Sequence, residues 1–291
     1  MTKSIPNCKD IFNFLNSFIL TLIFTNLFFF TESEAQNTKQ ADTEKANKIL
    51  ELSRKAVSKA TKSDEVIRFS ATLSGDYQPT KKEAALNKVT YSFEDKWEVE
   101  LPNKLHLQRS VNYISNKELR EIVINSDFTN VSLTPFVQGM SISIAIPAQT
   151  KKILDAEFST SAKTKAFVNF LPIILSSAWN KDISFSFIGV AETKDGKADV
   201  IQGKMNDKSI WQLFFDQKNH LPLLMIQTLV NETTNEKTEL KYFLSEYKEE
   251  KGLLVPHKII TQQDGEVTED QEFKLLEINP TFKANTFEIN K

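Results

Sequence analysis

The sequence predicts an α+β protein built on one large curved antiparallel sheet. It is an unclosed half-barrel of about ten strands, with an N-terminal helix and an inserted helical lid on the concave face. Three features of the 291 residues point there. Short runs rich in β-branched and aromatic residues follow one another, punctuated by turn residues and without helical crossovers, which is the pattern of an antiparallel meander. Two stretches, one after Gln40 and one at about 147–179, instead carry apolar residues at helical spacing. The hairpin from Ile210 to Val230 is apolar on both faces where one-sided burial would alternate. Both sides of the sheet should therefore be covered there, one by the core and the other by a helix, a ligand or a partner.

Residues 1–35 read as a secretory signal peptide. Lys3 and Lys9 precede an apolar run from Ile11 to Phe30, and Ser33, Glu34 and Ala35 form a small-x-small pattern, so cleavage is expected after Ala35. The alternative is a retained anchor, which the run is long enough to make; Asn13, Asn16 and Asn26 weaken it as a permanent span. Residues 36–291 then form a single domain in the periplasm, with roughly 255 residues, enough for a self-sufficient core. The one cysteine, Cys8, precedes the apolar run. The mature chain thus has no thiol, no disulfide and no cysteine placed for acylation.

After an unstructured polar leader from Gln36 to Gln40, a helix is expected from Asp42, its N-cap, to Ala60. Its inward stripe is Ala46, Ile49, Leu50, Ala56, Val57 and Ala60. A strand from Val66 to Leu73 ends at the turn Gly75 to Pro79, and Thr80 to Leu86 reads as a charged loop. Strands follow at Lys88 to Leu101 and Lys104 to Val111, where Leu105, Leu107 and Arg109 oppose His106, Gln108 and Ser110. Short strands at Glu118 to Asn125 and Asn130 to Leu133 complete this half. The insertion at about 147–179 should hold a short helix from Pro147 to Leu154 and a second from Thr164 to Trp179, kinked or restarted at Pro172. The meander resumes at Ile183, turns at Asp195-Gly196 into Ala198 to Met205, and passes through the apolar hairpin with its turn at Asp216 to His220. It ends with strands at Glu239 to Tyr247, Leu253 to Gln262 and Glu266 to Ile278.

The chemistry-bearing residues are sparse. With 36 basic against 38 acidic residues there is no electrostatic footprint for nucleic acid, and seven glycines are too few for a glycine-rich phosphate cradle. His106, His220 and His257 each read as solvent-exposed structural residues. No HExxH, paired His/Cys spacing or GxSxG elbow occurs. Glu249-Glu250 and Glu269-Asp270 read as solvated turn and edge charges. No catalytic residue, metal or cofactor is expected, and the chain is not read as an enzyme; a hydrolase is the most distant alternative.

What the chain has in surplus is apolar side chain, including 22 phenylalanines. Phe167, Phe170, Leu171, Ile174 and Leu175 recur at helical spacing and form the expected lid. Phe185, Phe187, Trp211, Leu213, Phe215, Leu223 and Met225 form the expected wall beneath it. Together these twelve are the candidate ligand-binding residues; the plainer alternative is an ordinary core.

Several stretches together resemble the LolA/LolB-like superfamily of periplasmic lipoprotein carriers. They are the leader, the N-terminal helix running into FSATLSG, Pro102-Asn103-Lys104-Leu105 opening a strand, FFDQKNHLPLLM, YKEEKGLLVPHKI, and the close from Ile278-Asn279-Pro280 to Asn285-Thr286-Phe287. The similarity runs in order along nearly all of the mature chain, and each motif is a structural turn. The resemblance implies a half-barrel whose concave face is partly filled by helices and receives acyl chains. It further implies a non-enzymatic protein that binds or carries a lipid or lipoprotein acyl chain in a hydrophobic cavity. The implied partners are a lipid or acylated lipoprotein, or an envelope protein, with transient contact with a membrane; the chain is expected to be a monomer. No functional residue of the family is matched here, the arginine that helps close the carrier's lid included. Related domains in envelope-stress regulators bind proteins. The competing expectation is accordingly an interaction or sensor module whose cavity is filled by its own helices. An inserted helix standing out in water, or an inner wall studded with charge, would end the carrier reading.

Overall fold

The computed structural model describes residues 32–58, 66–114, 116–125, 128–137, 140–141, 147–175, 184–193, 196–204, 210–230 and 236–288. The expected signal peptide up to residue 31 lies outside them, as do Ala60, the segment 176–179 at the end of the expected second inserted helix, Ile183, Asp195 and Met205.

Among the described residues, thirteen strands form one sheet. In chain order the elements are α1 (Glu32–Val57), β1 (Arg68–Tyr77), α2 (Lys81–Ala84), β2 (Tyr91–Glu100), β3 (Lys104–Asn112), β4 (Asn116–Asn125), β5 (Phe128–Val137) and β6 (Met140–Ser141). They continue with α3 (Ala148–Asn169), α4 (Leu171–Leu175), β7 (Phe185–Thr193), β8 (Gly196–Lys204), β9 (Ile210–Asp216), β10 (Pro222–Val230), β11 (Lys237–Glu250), β12 (Leu253–Gln263) and β13 (Glu266–Ile278). The strand order is β6-β5-β4-β3-β2-β1-β13-β12-β11-β10-β9-β8-β7, all antiparallel. The first strand pairs with the last, so the ends of the domain meet in the middle of the sheet and β6 and β7 become its two edges. The chain between β6 and β7 must therefore travel from one edge to the other. It does so as α3 and α4, laid over the inner face, which leaves a curved, unclosed sheet half-filled by helix.

α1 starts earlier than expected, so Gln36 to Gln40 are helical and Asp42 is an interior residue rather than the cap. Its buried stripe is Ala46, Ile49, Leu50, Ser53 and Val57, at helical spacing, while Ala56 is only half-buried. Thr80 to Leu86 is not a plain loop. Thr80 caps α2 by accepting from Glu83 N at 3.2 Å, and Glu83 Oε2 accepts from Thr80 N at 3.1 Å, a reciprocal capping box. The break expected between Leu154 and Thr164 is absent, and α3 runs unbroken from Ala148 to Asn169, because Asp155 to Lys163 contains neither Gly nor Pro. The break falls at Phe170, and α4 restarts with Pro172 in its first turn, where a missing N–H costs nothing.

Gly75 does not end β1 either. It sits mid-strand between Phe93 and Gln271, and a Cβ there would lie 2.4 Å from the Asp270 carbonyl oxygen and 2.9 Å from Phe93 Cζ. Glycine is needed for close approach rather than for a turn. In the central hairpin, Trp211, Leu213, Phe215 and Met225 point inward and are buried. Phe214, Leu224 and Ile226 are half-buried on the outer face. Val200, Phe214, Leu224, Phe243 and Ile260 are successive cross-strand partners on that face, so the second apolar face packs sideways, strand on strand. The hairpin turn is held by Asp216 Oδ1, which accepts from Lys218 N at 2.6 Å and Asn219 N at 3.0 Å.

Candidate ligand-binding cavity

Ten of the twelve residues expected to line a cavity lie in or against the packed core. Phe167, Phe170, Leu171, Ile174, Phe185, Trp211, Leu213, Phe215 and Met225 are all buried in one continuous apolar cluster. Phe187 packs partly buried against it, with the Lys45 ammonium 3.5 Å above its ring. Leu223 stands at a register shift between Pro222 and Leu224 and is half-buried; the Leu175 side chain lies outside the described part of the structure. Phe170 is the centre of the cluster, against Phe69 at 4.7 Å, Trp97 at 5.4 Å and Phe273 at 6.0 Å between ring centroids. Phe167 stands edge-on to Trp211 at 5.1 Å. The end of the inserted helix is a plug in the middle of the inner face, and none of the described side chains among the twelve lines the open space described next.

That space lies further back along α3. A cavity of about 600 Å³ separates the helix from β10–β13, a size within the range of small-molecule sites. Ala156, Thr160, Thr164 and Val168 face it from α3 in steps of four, which keeps them on one side of the helix. Leu229, Leu240, Tyr242, Thr261 and Gln271 face it from the sheet, and Tyr77 of β1 closes one side. Small helix residues opposite the strand wall leave the gap between the two layers unfilled. Further along the helix, Phe167 and Phe170 bring them into contact.

The inner face beside the cavity carries a cluster of paired charges, of which only Lys165 and Glu269 line the open space; this corrects the expectation of an apolar inner wall and counts against the carrier reading. Asp95 and Arg109, opposite each other on β2 and β3, form a bidentate ion pair with both distances at 2.6 Å. Arg109 also lies 4.2 Å over the Phe93 ring and 3.9 Å from Glu269 Oε1. Lys165 of α3 reaches Glu269 Oε1 at 2.6 Å. Gln271 Nε2 donates to Glu269 Oε2 at 2.9 Å, and Asn169 Nδ2 donates to Gln271 Oε1 at 3.5 Å. Burial works to raise the Glu269 pKa, but the charges of Lys165 and Arg109 outweigh it and hold the carboxyl below its ordinary range. Burial and then Arg109 lower the Lys165 pKa, against the pull of Glu269. Burial raises the Tyr242 phenol, and burial followed by a hydrogen bond to Glu83 raises Tyr77, so both stay neutral at ordinary pH.

Sequence reasoning placed Arg109 on the inward face but read Glu269 as an edge charge and passed over Lys165, Asn169, Thr261 and Gln271. The available signal was the row of small and polar residues at Ala156, Thr160 and Thr164 beside the apolar stripe, since a purely solvated helix face has no reason to keep its residues small.

The histidines also differ from expectation. His106 has a side chain only 12% exposed, on the outer face between Glu98 Oε2 at 2.8 Å and Glu121 Oε1 at 2.9 Å. His257 is similarly covered, 3.2 Å from Glu250 Oε1, while His220 occupies the hairpin turn with φ of 60°. Among the described residues no group of three His, Cys, Asp or Glu side chains is placed to hold a metal ion, and no helix is long and apolar enough to cross a membrane.

No protein-family model matches the chain, and no curated protein matches it. Solved structures similar to it include a domain assigned to an outer membrane lipoprotein-sorting protein of Vibrio parahaemolyticus, at 13% identity and a TM-score of 0.47, covering 84% of this chain and 97% of that one. A DUF1329 family protein from Desulfovibrio piger is similar at 8% identity and a TM-score of 0.45, covering 86% and 97%. A LolA superfamily protein from Nitrosomonas europaea is similar at 12% identity and a TM-score of 0.40, covering 81% and 94%. The likeness is one of fold alone.

Proposed function

We propose that this chain is a non-enzymatic protein of the bacterial envelope that binds the acyl part of a lipid or of a lipidated protein between α3 and β10–β13. The observation that carries the reading is a space of about 600 Å³ lined by Thr160, Thr164 and Val168 on one wall and Leu229 and Leu240 on the other. Burial of an acyl chain there is worth about 0.8 kcal/mol per methylene, so ten methylenes supply about 8 kcal/mol before the cost of ordering the ligand. Leu229 and the adjoining Val230 are exposed at 39% and 47%, an apolar lip suited to brief contact with a membrane during loading. The leader with its small-x-small pattern fits a periplasmic location.

Native mass spectrometry of protein purified from the periplasm of a bacterial host tests the reading. Lipid adducts released on collisional activation support it; uniformly ligand-free protein, under conditions that preserve adducts on a lipid-binding control, counts against it. A second reading, a module that binds an envelope protein, is favoured by the plug of Phe167, Phe170 and Ile174 in the middle of the inner face. It expects the ligand-free result together with a co-purifying polypeptide.

A further inference from the structure

The dimensions of the cavity limit what can enter it. Its helical wall runs from Ala156 to Val168 of α3, a rise of about 18 Å along the axis. Spread over that length, a volume of about 600 Å³ has a mean cross-section of about 33 Å². An extended hydrocarbon chain advances about 1.25 Å per carbon, from its bond lengths and angles. With carbon atoms in contact at about 4 Å, such a chain covers on the order of 20 Å² in cross-section. One chain of about fourteen carbons therefore matches the length and takes up roughly 350 Å³. Two such chains need roughly 700 Å³, more than the whole space, before any glycerol or polypeptide is added.

Widening the space means lifting α3, and the helix is attached to the sheet before the cavity, at it and beyond it. Before it, Val131 N donates to Asp155 Oδ1 at 3.2 Å and Lys151 Nζ donates to Asn130 Oδ1 at 3.1 Å, which ties the start of α3 to β5. Beyond it, Phe170 is locked among Phe69, Trp97 and Phe273. At the cavity itself, Lys165 of α3 and Glu269 of β13 both line the open space and are joined at 2.6 Å. A second chain would have to part them and lay hydrocarbon against an unpaired ammonium and carboxylate, which is costly. We infer that the cavity takes a single acyl chain of up to about fourteen carbons and excludes ligands carrying two or three, with the Lys165–Glu269 pair as the tie that sets this limit. The inference rests on the acyl-chain reading above and narrows its ligand to a single-chain amphiphile such as a lysophospholipid.

Native mass spectrometry with 1-myristoyl lysophosphatidylglycerol and dimyristoyl phosphatidylglycerol, each delivered from cyclodextrin, compares one chain with two under the same head group. The expected result is a single lysolipid per protein at saturation and an occupancy by the two-chain lipid lower by about tenfold or more. In a series of lysophosphatidylglycerols of increasing chain length, affinity should rise about fourfold per methylene and level off near about fourteen carbons. Lys165→Met keeps the stem but cuts the ion pair, and should raise two-chain occupancy toward that of the lysolipid. Two lysolipids per protein, equal occupancy by the two-chain lipid, affinity that climbs without levelling off, or an unchanged ratio in a folded Lys165→Met protein overturns the inference while leaving acyl binding in place. Where Lys165→Met does not fold, the stoichiometry and the chain-length series of the parent decide. If no lysolipid binds, the acyl-chain reading falls and the inference with it.

Discussion

Asp95 and Arg109 face each other directly across β2 and β3 and share two parallel hydrogen bonds in a site where Asp95 is fully buried and Arg109 is 7% exposed. Taking both charges out of water is costly, and their mutual attraction recovers it only while both are present. Arg109→Met should therefore destabilise the protein by about 3–5 kcal/mol, whereas Asp95→Leu combined with Arg109→Met should recover most of that loss. Urea denaturation of the two variants checks this. Equal losses in the single and double variants would show that packing around Arg109, not the unpaired carboxylate, sets the cost.

Glu269 gives the cluster a definite acid response. Its carboxyl is held below the unfolded value near 4.5, chiefly by Lys165 and Arg109 in opposition to burial. A depressed carboxylate stabilises the fold above the unfolded value, and the contribution is lost as pH falls through the lower, folded one. Wild-type protein should lose its advantage over Glu269→Gln as pH drops below about 4.5, and the two urea midpoints should converge at the acid end. A gap that stays constant from neutral to acid pH would contradict the assignment.

Phe170 is fully buried against Phe69, Trp97 and Phe273. Truncation leaves a hole that three aromatic rings cannot easily close, so Phe170→Ala should cost about 3–5 kcal/mol. A movable lid would give the opposite result, a small loss of stability and a change in ligand uptake. Thermal and urea unfolding of Phe170→Ala distinguish the two.

The antiparallel meander was legible because alternation and turn residues are local, and so was the inward stripe of α3 and α4, because helical spacing is local. Spacing told which way Phe167 and Phe170 point. It could not tell whether they touch the sheet or line a void, since that depends on how α3 lies over β10–β13, a long-range packing that helical spacing does not encode. Nothing on its own strand marks Asp95 as buried, because its partner, Arg109, lies on the next strand. Glu269 looked like an edge charge because β13 has the form of a last strand, yet it pairs with β1 and becomes central. The capping box at Thr80 and Glu83 was readable in the sequence and was passed over in favour of charge density.

Gly75 illustrates the same limit and yields a prediction. A glycine before Asp, Tyr, Gln and Pro resembles a turn, but here the backbone of β13 and the Phe93 ring press against its Cα. Gly75→Ala must push a backbone carbonyl and a buried ring aside, and should destabilise by about 1–3 kcal/mol, as overpacking does. Gly265 sits in an open turn at φ of 88°, where an added Cβ would meet nothing within 4 Å. Gly265→Ala should therefore lose stability through backbone strain alone, on the order of 1 kcal/mol. Comparing the two alanine variants by urea midpoint shows whether close approach dominates at Gly75.

Thr164 offers the most direct control over the cavity. It is half-buried on α3, one turn before Val168, and its side chain faces the open space rather than the packed plug. An indole placed there extends into volume that no side chain occupies, so Thr164→Trp should fill the cavity with little strain on the sheet. Lys163, the preceding residue, is exposed and does not face the cavity, so Lys163→Trp carries the same added bulk to the solvent side. Displacement of a fluorescent fatty-acyl probe by 1-monodecanoylglycerol should weaken at least tenfold in Thr164→Trp, equivalent to about 1.4 kcal/mol, and stay unchanged in Lys163→Trp. Unfolding midpoints of both variants should remain near that of the parent. Undiminished binding in a folded Thr164→Trp protein would move the ligand away from α3 and remove the cavity from consideration.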